Sequence, residues 1–181
     1  YAYKIIEIMF TIPLMFLGVV FPRLSTLVVS DEPGFRELAQ KTFEALLLVT
    51  LPFIDGIYVL APYLTVLLSR QSLEDGLLAG NALQILSLAL FAWFFGALYQ
   101  HMLLATKHYA GLIRIVAIVA VANIVLNIIF IPTYGYMAAA VITVITEGSM
   151  LILSVVYAYQ TLQFKAKLRG WLPVLCATVV M

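Results

Sequence analysis

Charged residues are scarce in this 181-residue sequence, at 10% of the chain, and Cys176 is its single cysteine. A soluble domain carries about 25% charged residues, so this chain has too few to cover a water-exposed surface. One cysteine allows no internal disulfide. Ten Lys and Arg against nine Asp and Glu leave a net charge of +1, which provides no basic field for nucleic acid. The composition therefore argues against a water-soluble enzyme and against nucleic acid as a partner.

Catalytic and metal-binding motifs are also missing. The sequence contains no GxSxG, no HExxH, no Walker loop and no dinucleotide fingerprint. His101 has no neighbouring set of Cys, His and acidic residues with which to hold a metal ion. We therefore expect a protein that is not an enzyme and that has no cofactor and no metal site.

Apolar residues dominate what is present, at 64% of the chain, with a mean hydropathy of +1.08. A membrane-crossing helix needs about 20 apolar residues, and five stretches reach that length. The sequence predicts an all-α, polytopic transmembrane bundle that forms one membrane domain over residues 1–181. Because the chain opens without Met and its last apolar run is short, we expect a piece of a longer protein. The predicted spans are residues 3–27, 42–68, 78–105, 109–131 and 136–161, with a truncated sixth at 170–181.

The basic residues predict the orientation of the spans. Alternate loops lie on opposite sides, and cytoplasmic loops carry an excess of Lys and Arg. The side with the first, third and fifth loops carries seven basic residues and the other side carries Lys4 and Arg70. We therefore predict a multi-pass protein of the cell (cytoplasmic) membrane, with membrane lipids against its helices and a basic hinge at the fifth loop. The seven residues are Arg23, Arg36, Lys41, Lys107, Lys165, Lys167 and Arg169.

Two acids lie near the middle of predicted spans, where an ionisable group costs about 2.5–3.5 kcal/mol on insertion scales. Asp55 is flanked by Pro52 and Gly56, which predict a break in its helix. Each acid either serves a hydrated cavity or proton transfer, or is a buried, protonated or helix-bonded carboxyl. The candidate cavity or ion-coupling residues are Asp55 and Glu147, the pair Asn123 and Asn127, and the pair Lys4 and Glu7 at the outer mouth.

The two asparagines also have a structural interpretation, which their chemistry favours. Amide and hydroxyl side chains commonly form hydrogen bonds between packed membrane helices. Asn123 and Asn127 are one helical turn apart and therefore share a helix face. They either join two helices or line a cavity.

A series of short motifs runs through most of the chain. FPRLS occupies residues 21–25, NALQIL residues 81–86, NIVLN residues 123–127 and IPTYGY residues 131–136, and small residues then lead to Thr146-Glu147. This series resembles the polysaccharide-transporter family of flippases. Its superfamily also contains multidrug and toxin extrusion transporters and peptidoglycan-precursor flippases. In that family Asn123, Asn127 and Glu147 match polar positions that face a lobe interior, whereas Asp55-Gly56 stands where the family is usually apolar.

The resemblance implies most of the C-terminal lobe of a two-lobe exporter, from about its eighth helix to the start of its thirteenth. Such a protein flips a lipid-linked oligosaccharide or polysaccharide precursor from the cytoplasmic to the outer leaflet by alternating access. One alternative is a proton- or sodium-coupled drug or metabolite antiporter of the same superfamily. A second alternative is a membrane scaffold subunit that transports nothing. The implied partners are a lipid-linked glycan, membrane lipids and a coupling ion.

Overall fold

The computed structural model describes the backbone of residues 2–69 and 73–167, with side chains for Thr11, 13–66 and 79–167. The described chain consists of helices and short connections, which confirms the all-α class. Each helix contains a stretch long and apolar enough to cross a membrane. The predicted sixth span at 170–181 lies outside the described residues. The helices are α1 (Ala2–Ser30), α2 (Glu32–Ser69), α3 (Leu73–Ala105) and α4 (Tyr109–Leu162).

The connection between α1 and α2 is shorter than the sequence predicts. Pro33 and Gly34, which the sequence places in a loop, lie in the first turn of α2. Proline is tolerated there because its missing N–H would have no acceptor inside the helix. Asp31 caps the new helix, since its Oδ1 accepts the backbone N–H of Gly34 at 3.1 Å. The helix therefore starts well before the predicted span boundary at residue 42.

Helix α3 lies at the centre of the bundle. It packs against α1, α2 and α4, whereas the backbones of α2 and α4 do not approach each other in the described part of the chain and Arg36 of α2 reaches the end of α4 only through its side chain. In the apolar stretch of α3, 72% of the residues are buried inside the protein, compared with 6% of those in the apolar stretch of α4. Leu90, Phe94 and Leu98 are among its fully buried side chains. A helix that is apolar on all sides is typical of such a central position.

Helices α2 and α3 approach each other closely at Gly80. A Cβ atom at this position would lie 2.8 Å from the Cα of Pro62 on α2. Such a distance is shorter than side-chain carbons adopt against backbone, so the two helices can pack this closely because residue 80 is glycine. The contact fixes the registration of α3 against the proline-containing part of α2.

Helix α4 is a hairpin of two arms, residues 109–134 and 136–162. At Gly135 the backbone has φ 66° and ψ −152°, a conformation essentially confined to glycine. The side chains of Asn123 and Thr146 form a hydrogen bond of 3.1 Å. In a straight helix residues this far apart in sequence would be separated by about 35 Å. The chain therefore reverses at Gly135, and the two arms pack side by side.

Candidate functional site

Asp55 lies on the outer surface of the described bundle, in the middle of α2. Its side chain is exposed and, among the described residues, makes no hydrogen bond or ion pair. Pro52 and Pro62 lie on either side of it in the same helix. A carboxyl group at membrane depth without a partner is costly against hydrocarbon. Asp55 therefore requires water or a group from outside the described chain.

Helix α2 runs through Pro52 and Pro62 without interruption, so the break that the sequence predicts beside Asp55 is not present. A side chain from α3 instead compensates for the hydrogen bond that Pro62 removes. Pro62 has no N–H, so the carbonyl of Tyr58 has no hydrogen-bond partner within its own helix. The side-chain amide of Gln84 donates to that carbonyl at 3.0 Å. The sequence analysis did not single out Gln84 as a site residue. The proline predicts a free carbonyl, but nothing local to it indicates which helix supplies the donor.

Glu147 lies on the second arm of α4 and is half-buried. Within the described residues its carboxyl group has no hydrogen-bond or ion-pair partner. The adjacent Thr146 is buried, and its hydroxyl donates to the carbonyl of Ile142 at 2.9 Å. Glu147 is therefore adjacent in the chain to the polar contacts between the two arms, but it makes none of them. Its assignment to a cavity or to ion coupling stays a prediction.

Asn123 and Asn127 form part of the polar contacts between the two arms of α4. Asn127 donates its amide to the backbone and the side-chain oxygens of Asn123, each at 2.9 Å. Asn123 in turn donates to the hydroxyl oxygen of Thr146 on the other arm at 3.1 Å. We name these three residues, Asn127, Asn123 and Thr146, the amide ladder. These contacts are the ones expected if the asparagines join two helices. Their alternative role, lining a cavity, stays a prediction.

Among the predicted residues with described side chains, the structure does not bring Asp55 and Glu147 into one site. Asp55 is on α2 and Glu147 is on α4, and α3 packs between these helices. Lys4 and Glu7 fall within the backbone of α1, but their side chains lie outside the described residues. Sequence reasoning did not reveal this separation, because both acids occupy the middle of their spans. Their depth is similar, but their helices are not adjacent.

Metal ligands are not assembled in the described part of the chain, where no group of three His, Cys, Asp or Glu side chains could hold an ion. The ring of His101 lies 2.7 Å from the carbonyl of Ala97 and packs edge-on against Phe21 at 5.7 Å. The imidazole ring of His101 is therefore engaged in contacts within α3 and with α1.

The helices, their exposed apolar faces and their unpartnered acids define a multi-pass membrane protein. The chain matches the family described as Lipid II flippase MurJ over residues 1–181, and it belongs to that family. Members of the family are transporters and not enzymes, in agreement with the sequence analysis. A comparison with curated proteins finds no match.

The family match confirms the flippase class but not the branch that the motifs resembled. The motifs are similar to those of the polysaccharide transporters, whereas the match is to the lipid II branch of the same superfamily. Short apolar helix motifs resemble one another across related transporters, so they indicate the superfamily better than the family.

Proposed function

We propose that this chain belongs to a flippase that moves lipid II, a lipid-linked cell-envelope precursor, across the cytoplasmic membrane. The observation that carries the proposal is the family match over residues 1–181. The direction is from the cytoplasmic to the outer leaflet, by alternating access of two helical lobes. A sugar and pyrophosphate head group needs a hydrated, hydrogen-bonding route, whereas the lipid tail can stay in the bilayer. No covalent bond of the substrate changes.

We further propose that the described chain crosses the membrane five times. Helices α1, α2 and α3 each cross once, and each arm of α4 crosses once. Residues 109–134 and 136–162 each reach about 40 Å as helix, which exceeds a hydrocarbon core of about 30 Å. The reversal at Gly135 then lies on the outer side, and Lys107 lies on the cytoplasmic side in agreement with the basic-residue count.

Asp55 is the first candidate for a role in the transport cycle. It is exposed and unpartnered among the described residues, between Pro52 and Pro62 of α2. An ionisable residue within a membrane span commonly marks a substrate or ion pathway. We propose that Asp55 faces the hydrated pathway and either contacts the head group or binds a coupling proton or sodium ion. The same observation supports the alternative of an ion-coupled antiporter, whose cargo would be a drug or metabolite.

Reconstitution of the full-length protein tests these proposals. Liposomes would contain fluorescent lipid II or a cationic dye, and flux would be followed with and without a proton or sodium gradient. Asp55→Asn and Glu147→Gln are the test variants. Lys107→Gln is the control, because Lys107 is exposed in the connection between α3 and α4 and makes no ion pair among the described residues.

A flippase translocates lipid II and not the dye. We expect Asp55→Asn to reduce that flux strongly and Lys107→Gln to leave it unchanged. Gradient-driven dye transport without lipid II movement would replace the flippase with the antiporter. Absence of both fluxes in folded protein would contradict both transport functions for these cargoes and favour the scaffold. Equal loss in all three variants would contradict a specific role for Asp55.

A further inference from the structure

A polar cavity of about 770 Å³ opens at the end of the bundle where α4 finishes. It lies between the beginning of α2 and residues 163–167, the non-helical segment that follows α4. This end is the cytoplasmic one in the proposed orientation. The cavity is lined by Arg36, Glu37, Gln40, Tyr159, Gln160, Gln163, Phe164, Lys165 and Lys167.

Hydrogen bonds from α2 hold the 163–167 segment in place. Arg36 donates to the backbone carbonyls of Leu162 at 2.9 Å and Gln163 at 3.2 Å. Gln40 forms a reciprocal pair with the backbone of Lys167. Its amide donates to the Lys167 carbonyl at 2.6 Å, and its side-chain oxygen accepts the Lys167 N–H at 2.9 Å. These bonds fix the backbone around both lysines and leave the lysine side chains uninvolved.

The acidic side chains around the cavity are already engaged. Glu32 pairs with Arg36 at 2.9 Å, and Glu37 pairs with Lys41 at 2.6 Å. Glu44 accepts a hydrogen bond from Gln40 at 2.8 Å.

The two lysines, by contrast, have no acidic partner. Within the described residues, no carboxylate lies at ion-pair distance from Lys165 or Lys167. Arg36 also covers the last carbonyls of α4, which carry the negative end of the helix dipole. The cavity therefore keeps the positive charges of both lysines uncompensated.

The aromatic ring of Tyr159 lies beside the cavity. Tyr159 is exposed in the last turns of α4, and the Lys165 ammonium lies 4.8 Å from the centre of its ring. Tyrosine is enriched where membrane helices meet the head-group region. Gln160 and Gln163 of the cavity follow Tyr159 in the chain, and the exposed apolar residues Ile152 and Val156 precede it on α4.

We propose that this cavity binds the phosphate of an anionic phospholipid of the cytoplasmic leaflet. Lys165 and Lys167 contact the phosphate, the amides of Gln160 and Gln163 contact the head-group oxygens, and the acyl chains run along α4 beside Tyr159. Two ammonium groups without acidic partners, on a backbone held by hydrogen bonds, suit a phosphate, and the adjoining apolar helix suits its lipid tails. The proposal rests on the membrane orientation given under the proposed function, and it does not require that the protein flips lipid II.

Lipid binding to the purified full-length protein tests the proposal directly. Native mass spectrometry would follow titration with phosphatidylglycerol, with phosphatidylcholine of the same acyl chains, and with inorganic phosphate. The test variant is Lys165→Gln/Lys167→Gln, and Lys165→Arg/Lys167→Arg is its charge-preserving counterpart. Lys107→Gln is the matched control, since Lys107 is exposed on the same side but does not line the cavity. Thermal unfolding is expected to be unchanged, because Gln40 binds the backbone of Lys167 and not its side chain.

A basic residue near an anionic head group contributes about fivefold in affinity, so the double glutamine variant is expected to bind phosphatidylglycerol about 25-fold more weakly. The arginine variant and Lys107→Gln are expected to bind it as the parent protein does. Unchanged affinity in the glutamine variant would overturn the proposal, as would an equal loss in Lys107→Gln. Inorganic phosphate that binds as tightly as phosphatidylglycerol would overturn the lipid assignment. Each result is obtained without any measurement of flux, so failure of the flippase function is a separate outcome.

Discussion

Gln84 of α3 donates its side-chain amide to the backbone carbonyl of Tyr58 on α2, 3.0 Å away. That carbonyl is the one that Pro62 leaves without a partner in its own helix. Gly80, one turn before Gln84, allows the two backbones to approach closely at Pro62. The carbonyl that Pro62 leaves free on α2 and the contact surface of α3 are therefore parts of one arrangement, which holds the helix that carries Asp55.

Loss of the Gln84 amide is expected to destabilise the protein. Gln84→Ala leaves the Tyr58 carbonyl unsatisfied, at a cost of about 1–3 kcal/mol in the free energy of unfolding. Asn81→Ala is the control, because Asn81 is exposed one turn away and makes no hydrogen bond among the described residues. Unfolding of the purified protein in detergent measures both changes.

A double-mutant cycle separates this hydrogen bond from general packing. Pro62→Ala restores a helical N–H for the Tyr58 carbonyl, so Gln84→Ala is expected to cost less in that background. Additive effects of the two substitutions would show that the amide does not act through this carbonyl.

Gly80 is expected to tolerate no larger side chain. In Gly80→Ala the new Cβ lies 2.8 Å from the Pro62 backbone and forces α2 and α3 apart, at a cost of about 1–3 kcal/mol. Gly56→Ala is the matched control on α2, where a Cβ would meet no atom within 4 Å. We expect that control to be neutral or stabilising by up to about 1 kcal/mol, since alanine favours helix. If thermal unfolding shows the same loss of stability for Gly80→Ala and Gly56→Ala, the close approach of α2 and α3 at Gly80 is contradicted.

Gly135→Ala is expected to strain the reversal of α4. Residues other than glycine pay about 1–3 kcal/mol in the conformation that Gly135 adopts. Gly148→Ala, in the second arm and also in open space, is the comparison. The free energy of unfolding should fall for Gly135→Ala and hold or rise for Gly148→Ala. A stability unaffected by Gly135→Ala would contradict the hairpin geometry at this residue.

The amide ladder is expected to join the arms of α4. A double-mutant cycle between Asn123→Ala and Thr146→Val should give a coupling energy of about 0.6 kcal/mol, and no more than about 1.7 kcal/mol, as for other hydrogen bonds between membrane helices. Unfolding in detergent gives the coupling energy, and lipid II flux is measured in parallel. Flux that falls in Asn123→Ala without a loss of stability would instead place this residue in the cavity.

Local features of the fold were accessible from the sequence because they depend on residues that are neighbours in the chain. Apolar length predicted the helices, and Pro62 predicted a broken hydrogen-bond pattern. The glycine of the IPTYGY motif marked the region of the reversal in α4. Prediction was less accurate at the start of α2, where Pro33-Gly34 indicates a loop but Asp31 caps a helix at once. A cap and a first-turn proline use the residue types that also form turns.

The sequence by itself determined that this chain is an apolar helical protein of the membrane, that prolines remove backbone hydrogen bonds from α2, and that α4 is interrupted near Gly135. Tertiary structure decided that α3 occupies the centre, that Gln84 meets Tyr58, and that Asp55 and Glu147 lie on helices that do not pack together. The reason is that backbone conformation follows from adjacent residues, whereas the pairing of helices depends on contacts between distant ones. In helices that are apolar on nearly every side, the hydropathy pattern distinguishes no face, so steric fit and single hydrogen bonds select the neighbours.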